Sequence, residues 1–176
     1  MAVQWVTGFL DFPGGVFAAA QDFWRGVTGY ALSPPRGPRA DFATLMPGEG
    51  DAYLRVQRIY DGPAGCHLDF HAQDWAALAA RAAGSEHLMR PAGMPLRLLL
   101  QRTGDPPGTT VRAHPDLACS GTGAEVARHE GLGATQSHDG DGWVTMRDPA
   151  GMTYCITRRD PGNCQDLWMG AAPTQR

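Results

Sequence analysis

Polar and apolar positions alternate along several short runs of this chain, the pattern of strands buried on one face. In 53–59, Tyr53, Arg55 and Gln57 share a face opposite Leu54 and Val56. In 67–71, His67, Asp69 and His71 oppose Leu68 and Phe70, and in 96–102, Arg97 and Gln101 oppose Leu98 and Leu100. In 112–117, Arg112, His114 and Asp116 oppose Ala113, Pro115 and Leu117; in 152–157, Thr153 and Cys155 oppose Met152, Tyr154 and Ile156. The apolar sets must meet helices, which leaves the polar sets for the other side.

Helical spacing occupies the gaps. After a strand over 3–12 stopped by "PGG", the stretch "VFAAAQDFWRGVTG" sets Val16, Phe17, Ala20, Phe23, Trp24 and Val27 on one stripe, with Gly29 as its stop. "ALSPPRGPRAD" suits an edge strand or loop, because proline cannot donate to a ladder. "FATLM" and "AYLRVQRI" follow as strands around the turn "PGEGD". "GCHLDFHA" then opens a second unit, with a helix at "DWAALAARAAG" capped by Asp74. "RAHPDLACS" opens a third, with a helix at "TGAEVARHEGLG" whose Thr122 and Glu125 have capping-box spacing and whose stop is Gly133. "WVTMR", "DPAG" and "MTYCITRR" read as a closing hairpin.

The construction repeats. Opening strands recur as "FLDF", "HLDF" and "HPDL", and closing strands as "YLRVQR", "RLLLQR" and "TYCITR". One βαβββ unit covers one sheet face and buries too little surface to stand alone. The expected fold is therefore α+β: repeated βαβββ modules forming a curved mixed sheet, helices outside and a concave pocket inside. The modules are expected at 1–64, 65–109 (shortened) and 110–160, with a tail at 161–176.

Composition narrows the function. A chain of 176 residues with 43% hydrophobic and 19% charged residues is globular, and a net charge of −3 gives no footprint for nucleic acid. The opening lacks the basic-then-apolar pattern of a signal peptide, and runs such as "LLL" at 98–100 are too short to span a membrane. Cys66, Cys119, Cys155 and Cys164 show no paired spacing, so reduced thiols in a cytoplasmic protein are expected.

"FWRGVTGY", "YLRVQR", "HLDFH", the helix ending "LGA" and above all "WVTMRDPAGMTYCIT" resemble the glyoxalase-like branch of the vicinal oxygen chelate superfamily. That superfamily includes glyoxalase I, extradiol dioxygenases and bleomycin-resistance proteins. The resemblance runs to about residue 160 and implies paired βαβββ modules around a cup-shaped pocket that takes a small molecule. Metal-using members draw His and Glu from opening and closing strands. Here the opening positions hold Phe9, His67 and His114, and the closing positions hold Gln57, Gln101 and Cys155.

His67 and His114 either ligate a divalent ion (Zn, Ni, Fe or Mn) or hydrogen-bond a neighbouring Asp or carbonyl. Arg55, Gln57, Arg97, Gln101, Thr153 and Cys155 are the expected substrate-facing set, with the arginines suited to an anion. Three functions stand at this point. One is metal-assisted chemistry of lyase, isomerase or dioxygenase type on an oxygen-bearing small molecule. Another is non-catalytic sequestration, as in bleomycin resistance. The third is a shortened tandem remnant acting as a homodimer. Loop and helix histidines, including His129, are expected to be solvated.

Overall fold

The computed structural model describes residues 5–71, 87–88, 98–99 and 113–158. The chain divides into two compact units, Met1–Ala113 and His114–Arg176. The predicted helix at 74–84 and its Asp74 cap, most of the strand at 96–102 including Arg97 and Gln101, Arg112, and the tail at 161–176 lie outside the described residues.

The first unit contains β1 (Trp5–Pro13), α1 (Phe17–Thr28), β2 (Ala31–Leu32), β3 (Phe42–Met46), β4 (Leu54–Ile59) and β5 (Gly65–His71). They form a five-stranded sheet in the order β2-β3-β4-β1-β5. β1 runs parallel to β4 and antiparallel to β5. A two-stranded pair follows, β6 (His87–Leu88) with β7 (Leu98–Leu99). Helix α1 buries Phe17, Ala20, Phe23, Trp24 and Val27. That is the stripe read from the sequence, meeting Val6, Leu10, Phe12, Ala43, Leu45 and Val56 in one core. Gly29 ends the helix at φ 69, where an L side chain would be strained, and its N–H reaches the Arg25 carbonyl at 2.8 Å.

The second unit contains β8 (Asp116–Cys119), α2 (Thr122–Gly131), β9 (Thr135–Gly140), β10 (Trp143–Arg147) and β11 (Thr153–Arg158). Its sheet order is β8-β11-β10-β9, with β8 parallel to β11. Each unit thus sets its opening strand parallel beside its closing strand. In the first unit, β5 adds a strand on the outer edge of β1.

Three local readings change. The strand expected over 112–117 starts only at Asp116, just beyond Pro115, which has no N–H for a ladder. β9 went unpredicted because "TQSHDG" is polar throughout and exposed, so no apolar alternation marks it. Its pairing with β10 also carries a register shift between Thr145 and Met146. The capping box is not made: Thr122 is the first helical residue, Gly121 takes the cap position, and no side chain caps the end.

Glu125 joins instead a part-buried network that ends on a buried histidine. The Arg128 guanidinium donates to its carboxylate at 2.5 Å, and Nε2 of His129 lies 3.1 Å from it. Nδ1 of His129 is 2.9 Å from the Tyr154 hydroxyl on β11. His129 is 0% exposed, so the expectation of a solvated histidine fails. Nε2 also lies 3.1 Å from the Arg128 guanidinium, so this nitrogen sits between a donor and an acceptor.

Burial, and then the Arg128 charge, push the His129 pKa below its ordinary value. The unfolded chain therefore binds a proton that the folded chain resists. This contribution to stability is fully present above the ordinary histidine value and is lost as pH falls through the depressed folded value. Thermal melts stepped down through that window should show a loss of stability that His129→Gln removes. An unchanged pH slope in that variant would show that the ring does not carry the effect.

Candidate functional site

Strand register sorts the faces. In the first unit Phe9 is opposite Arg55 and His67, while Asp11 is opposite Gln57. Cross-strand partners share a face, so Arg55, Gln57 and His67 stand together on the side away from α1. In the second unit Cys155 is opposite Asp116 and Thr145, and Arg147 is opposite Thr153. That face turns away from α2, whose His129 meets Tyr154 on the other side of β11. Asp11 beside Gln57 therefore corresponds to Asp116 beside Cys155. The repeat alignment read from "FLD" and "HPD" is the alignment of the two sheets.

The second unit gathers metal-type donors. One ligand atom each from His114, Asp116 and Cys155 lies within 4.8 Å of the others, the one such cluster of three among the described residues. Nε2 of His114 is 3.2 Å from Asp116 Oδ1. The Cys155 sulfur is 3.7 Å from the Thr145 hydroxyl. Asp116 partners His114, the neighbouring-Asp alternative that the sequence left open for that histidine. The threefold "x-x-Asp" of the opening strands was the signal for it.

In the first unit, His67 takes a different environment. Its ring stacks on Phe9 with centroids 4.7 Å apart and planes 1° from parallel. Its Nδ1 is 2.5 Å from Asp11 Oδ2, and its Nε2 is 3.9 Å from Asp69 Oδ1. The Arg55 guanidinium lies 5.5 Å from the Phe9 ring centroid. His67 belongs to no three-donor cluster among the described residues.

The glyoxalase-like domain family profile matches residues 15–88 and again 83–157. The chain belongs to that family. Two copies of a glyoxalase-like domain place it in the vicinal oxygen chelate superfamily. No curated protein matches the chain.

Among solved structures, the glyoxalase-like chain is similar to a gene product from Arabidopsis thaliana at 15% identity. That match covers 86% of this chain and 93% of that one, with a TM-score of 0.45. A glyoxalase/bleomycin resistance protein/dioxygenase family enzyme from Burkholderia phytofirmans matches at 12%, covering 84% and 94%, with a TM-score of 0.42. An antibiotic binding protein from Streptomyces matches at 17%, covering 91% and 99%, with a TM-score of 0.46. At these values the likeness carries nothing about ligand or chemistry. Among the described residues, no helix is long and apolar enough to cross a membrane.

The donors of this glyoxalase-like chain fit a divalent metal by their chemistry. Imidazole, carboxylate and thiolate together suit zinc, iron or nickel, and three protein ligands leave a position open. Bond lengths of about 2.0–2.3 Å put such ligands roughly 3.3–3.7 Å apart, so a separation within 4.8 Å needs only a modest contraction. The Asp116 hydrogen bond holds the His114 pKa above its ordinary value. Burial, then the Asp116 charge, raises the Cys155 thiol, against the opposing hydrogen bond from Thr145. A cation binding here must displace a proton from sulfur, so its affinity rises with pH.

Proposed function

We propose that the chain is a small-molecule-binding protein whose second unit holds a divalent metal on His114, Asp116 and Cys155. The convergence of these three donors on the helix-free face supports the reading. A cation there supplies Lewis acidity toward an oxygen of the bound molecule. Thr153 lies two residues from Cys155 on the same face and is assigned to that molecule. Arg55 and Gln57 stand at the corresponding positions of the first unit and are assigned to a small molecule on that unit's own helix-free face. The segment 65–109 is assigned as a shortened module between full modules at 1–64 and 110–160, followed by the tail at 161–176. Thiolate softness favours zinc, iron or nickel over manganese.

A second reading, sequestration without chemistry, draws on Trp143. Its ring is on the same face, in register with Thr157 and Gly140, and the residue is 42% exposed. An aromatic side chain left open beside a polar cluster suits stacking on a planar ligand.

Elemental analysis of the purified protein separates the two. Near-stoichiometric zinc, iron or nickel is expected, with a melting temperature lowered by chelator. His114→Ala and Cys155→Ser should each weaken metal binding at least about tenfold, the lower bound seen even for second-shell partners. Metal-free protein whose stability ignores chelators would remove the metal from the assignment. Quenching of Trp143 fluorescence by an aromatic ligand in such protein would favour sequestration.

A further inference from the structure

On the second unit's helix-free face, the row of residues that carries the metal-type donors continues one strand beyond them. Asp116 on β8, Cys155 on β11 and Thr145 on β10 are cross-strand neighbours in register. Val144 and Met146, on either side of Thr145, are buried, so alternation sends the threonine to the donor face. Its hydroxyl is 3.7 Å from the Cys155 sulfur and has no other hydrogen-bond partner among the described residues.

The direction of this contact follows from the charge on sulfur. A thiol can donate to the threonine, but a thiolate has no hydrogen, so the hydroxyl must then be the donor. Asp116, in register on the other side of Cys155, has no hydrogen to give when ionised.

The place of the contact is set by a β-bulge. Thr145 pairs with His138 and Met146 with Gln136, which makes Ser137 the extra residue on β9. Bulges re-aim the side chains beside them. Here the Ser137 hydroxyl donates to the Thr145 carbonyl at 3.2 Å. The serine holds Thr145 by its backbone and leaves the threonine hydroxyl to the sulfur.

We propose that Thr145 is a positioning residue for the Cys155 thiolate. Its hydroxyl donates to the sulfur, holds it beside His114 and Asp116, and tempers the charge that the sulfur gives to a cation. The proposal rests on the metal reading above and adds a residue that is not itself a ligand. A hydrogen bond lowers the energy of the sulfur electrons, so drawing one of them onto a metal ion costs more. Loss of that bond has a spectroscopic signature that loss of packing alone does not produce.

Cobalt(II) is the probe, because its charge-transfer absorption from thiolate is visible where zinc is silent. Titrating the full chain with cobalt should raise a charge-transfer band that Cys155→Ser removes. Thr145→Val keeps the shape and deletes the hydroxyl. It should move the band to longer wavelength and weaken cobalt binding about tenfold, the lower range for an outer-shell partner. Thr145→Ala should behave alike, and Thr145→Ser should restore both the band position and the affinity. Circular dichroism of the metal-free variants checks the fold. A band unmoved in Thr145→Val and Thr145→Ala, or moved as far in Thr145→Ser, would overturn the proposal and leave the metal reading intact. No cobalt binding, or cobalt binding without a band that depends on Cys155, would overturn both.

Discussion

Replacing Trp24 by alanine should destabilise the first unit by about 3–5 kcal/mol, the range for truncating a large aromatic in a packed core. Trp24 is 0% exposed and sits mid-stripe on α1, edge-on to Phe23 with ring centroids 5.6 Å apart. Helix α1 packs on β1 and β4, whose apolar faces cannot move inward without breaking the sheet's ladders. Domains of this size are stable by only about 5–15 kcal/mol, so the loss takes a large share. Because the chain divides into two units, the effect should be local. Native-state hydrogen exchange should show lost protection in β1 and β4 while β10 and β11 keep theirs. Equal loss in both units, or a cost below about 1 kcal/mol, would contradict this packing.

Asp148→Ala should cost the second unit about 2–4 kcal/mol, for a different reason. Asp148 is buried and its Oδ1 accepts from the Ala150 N–H at 2.9 Å and the Met152 N–H at 2.8 Å. Its own N–H donates to the Met152 carbonyl, and Gly151 closes the turn at φ 87. Alanine would leave two donors without acceptors, each costing about 1–3 kcal/mol. Asp148→Asn keeps a side-chain oxygen in the same place and should retain most of the stability. Urea unfolding of the pair provides the comparison: equal losses would show that charge, not the acceptor, matters. This turn is also the "DPAG" on which the family resemblance most depends, so its chemistry is structural first.

How much was legible in the sequence differs by element. The α1 stripe, β4, β5 and the closing hairpin were all readable because each has one apolar face and one polar one. β9 was not, because an exposed edge strand needs no apolar residues to pair. His129 was misjudged: its neighbours on α2 are polar, and only its meeting with Tyr154 from a strand 25 residues away makes it a buried anchor. Within the sites, His114 and Cys155 could be named from the repeat. The contact of His114 with its neighbouring Asp116 was among the alternatives read, whereas the Asp11 partnership of His67 was not seen at all.

The amino-acid order alone determined the faces: which side chains meet a helix and which do not follows from a period of two along each strand. It also determined the family, through the repeated opening and closing strands. Tertiary structure alone decided the partnerships between strands. Distance between side chains on different strands depends on register, so His67 on β5 met Asp11 on β1, while Cys155 on β11 came beside Asp116 on β8 and completed the cluster with His114.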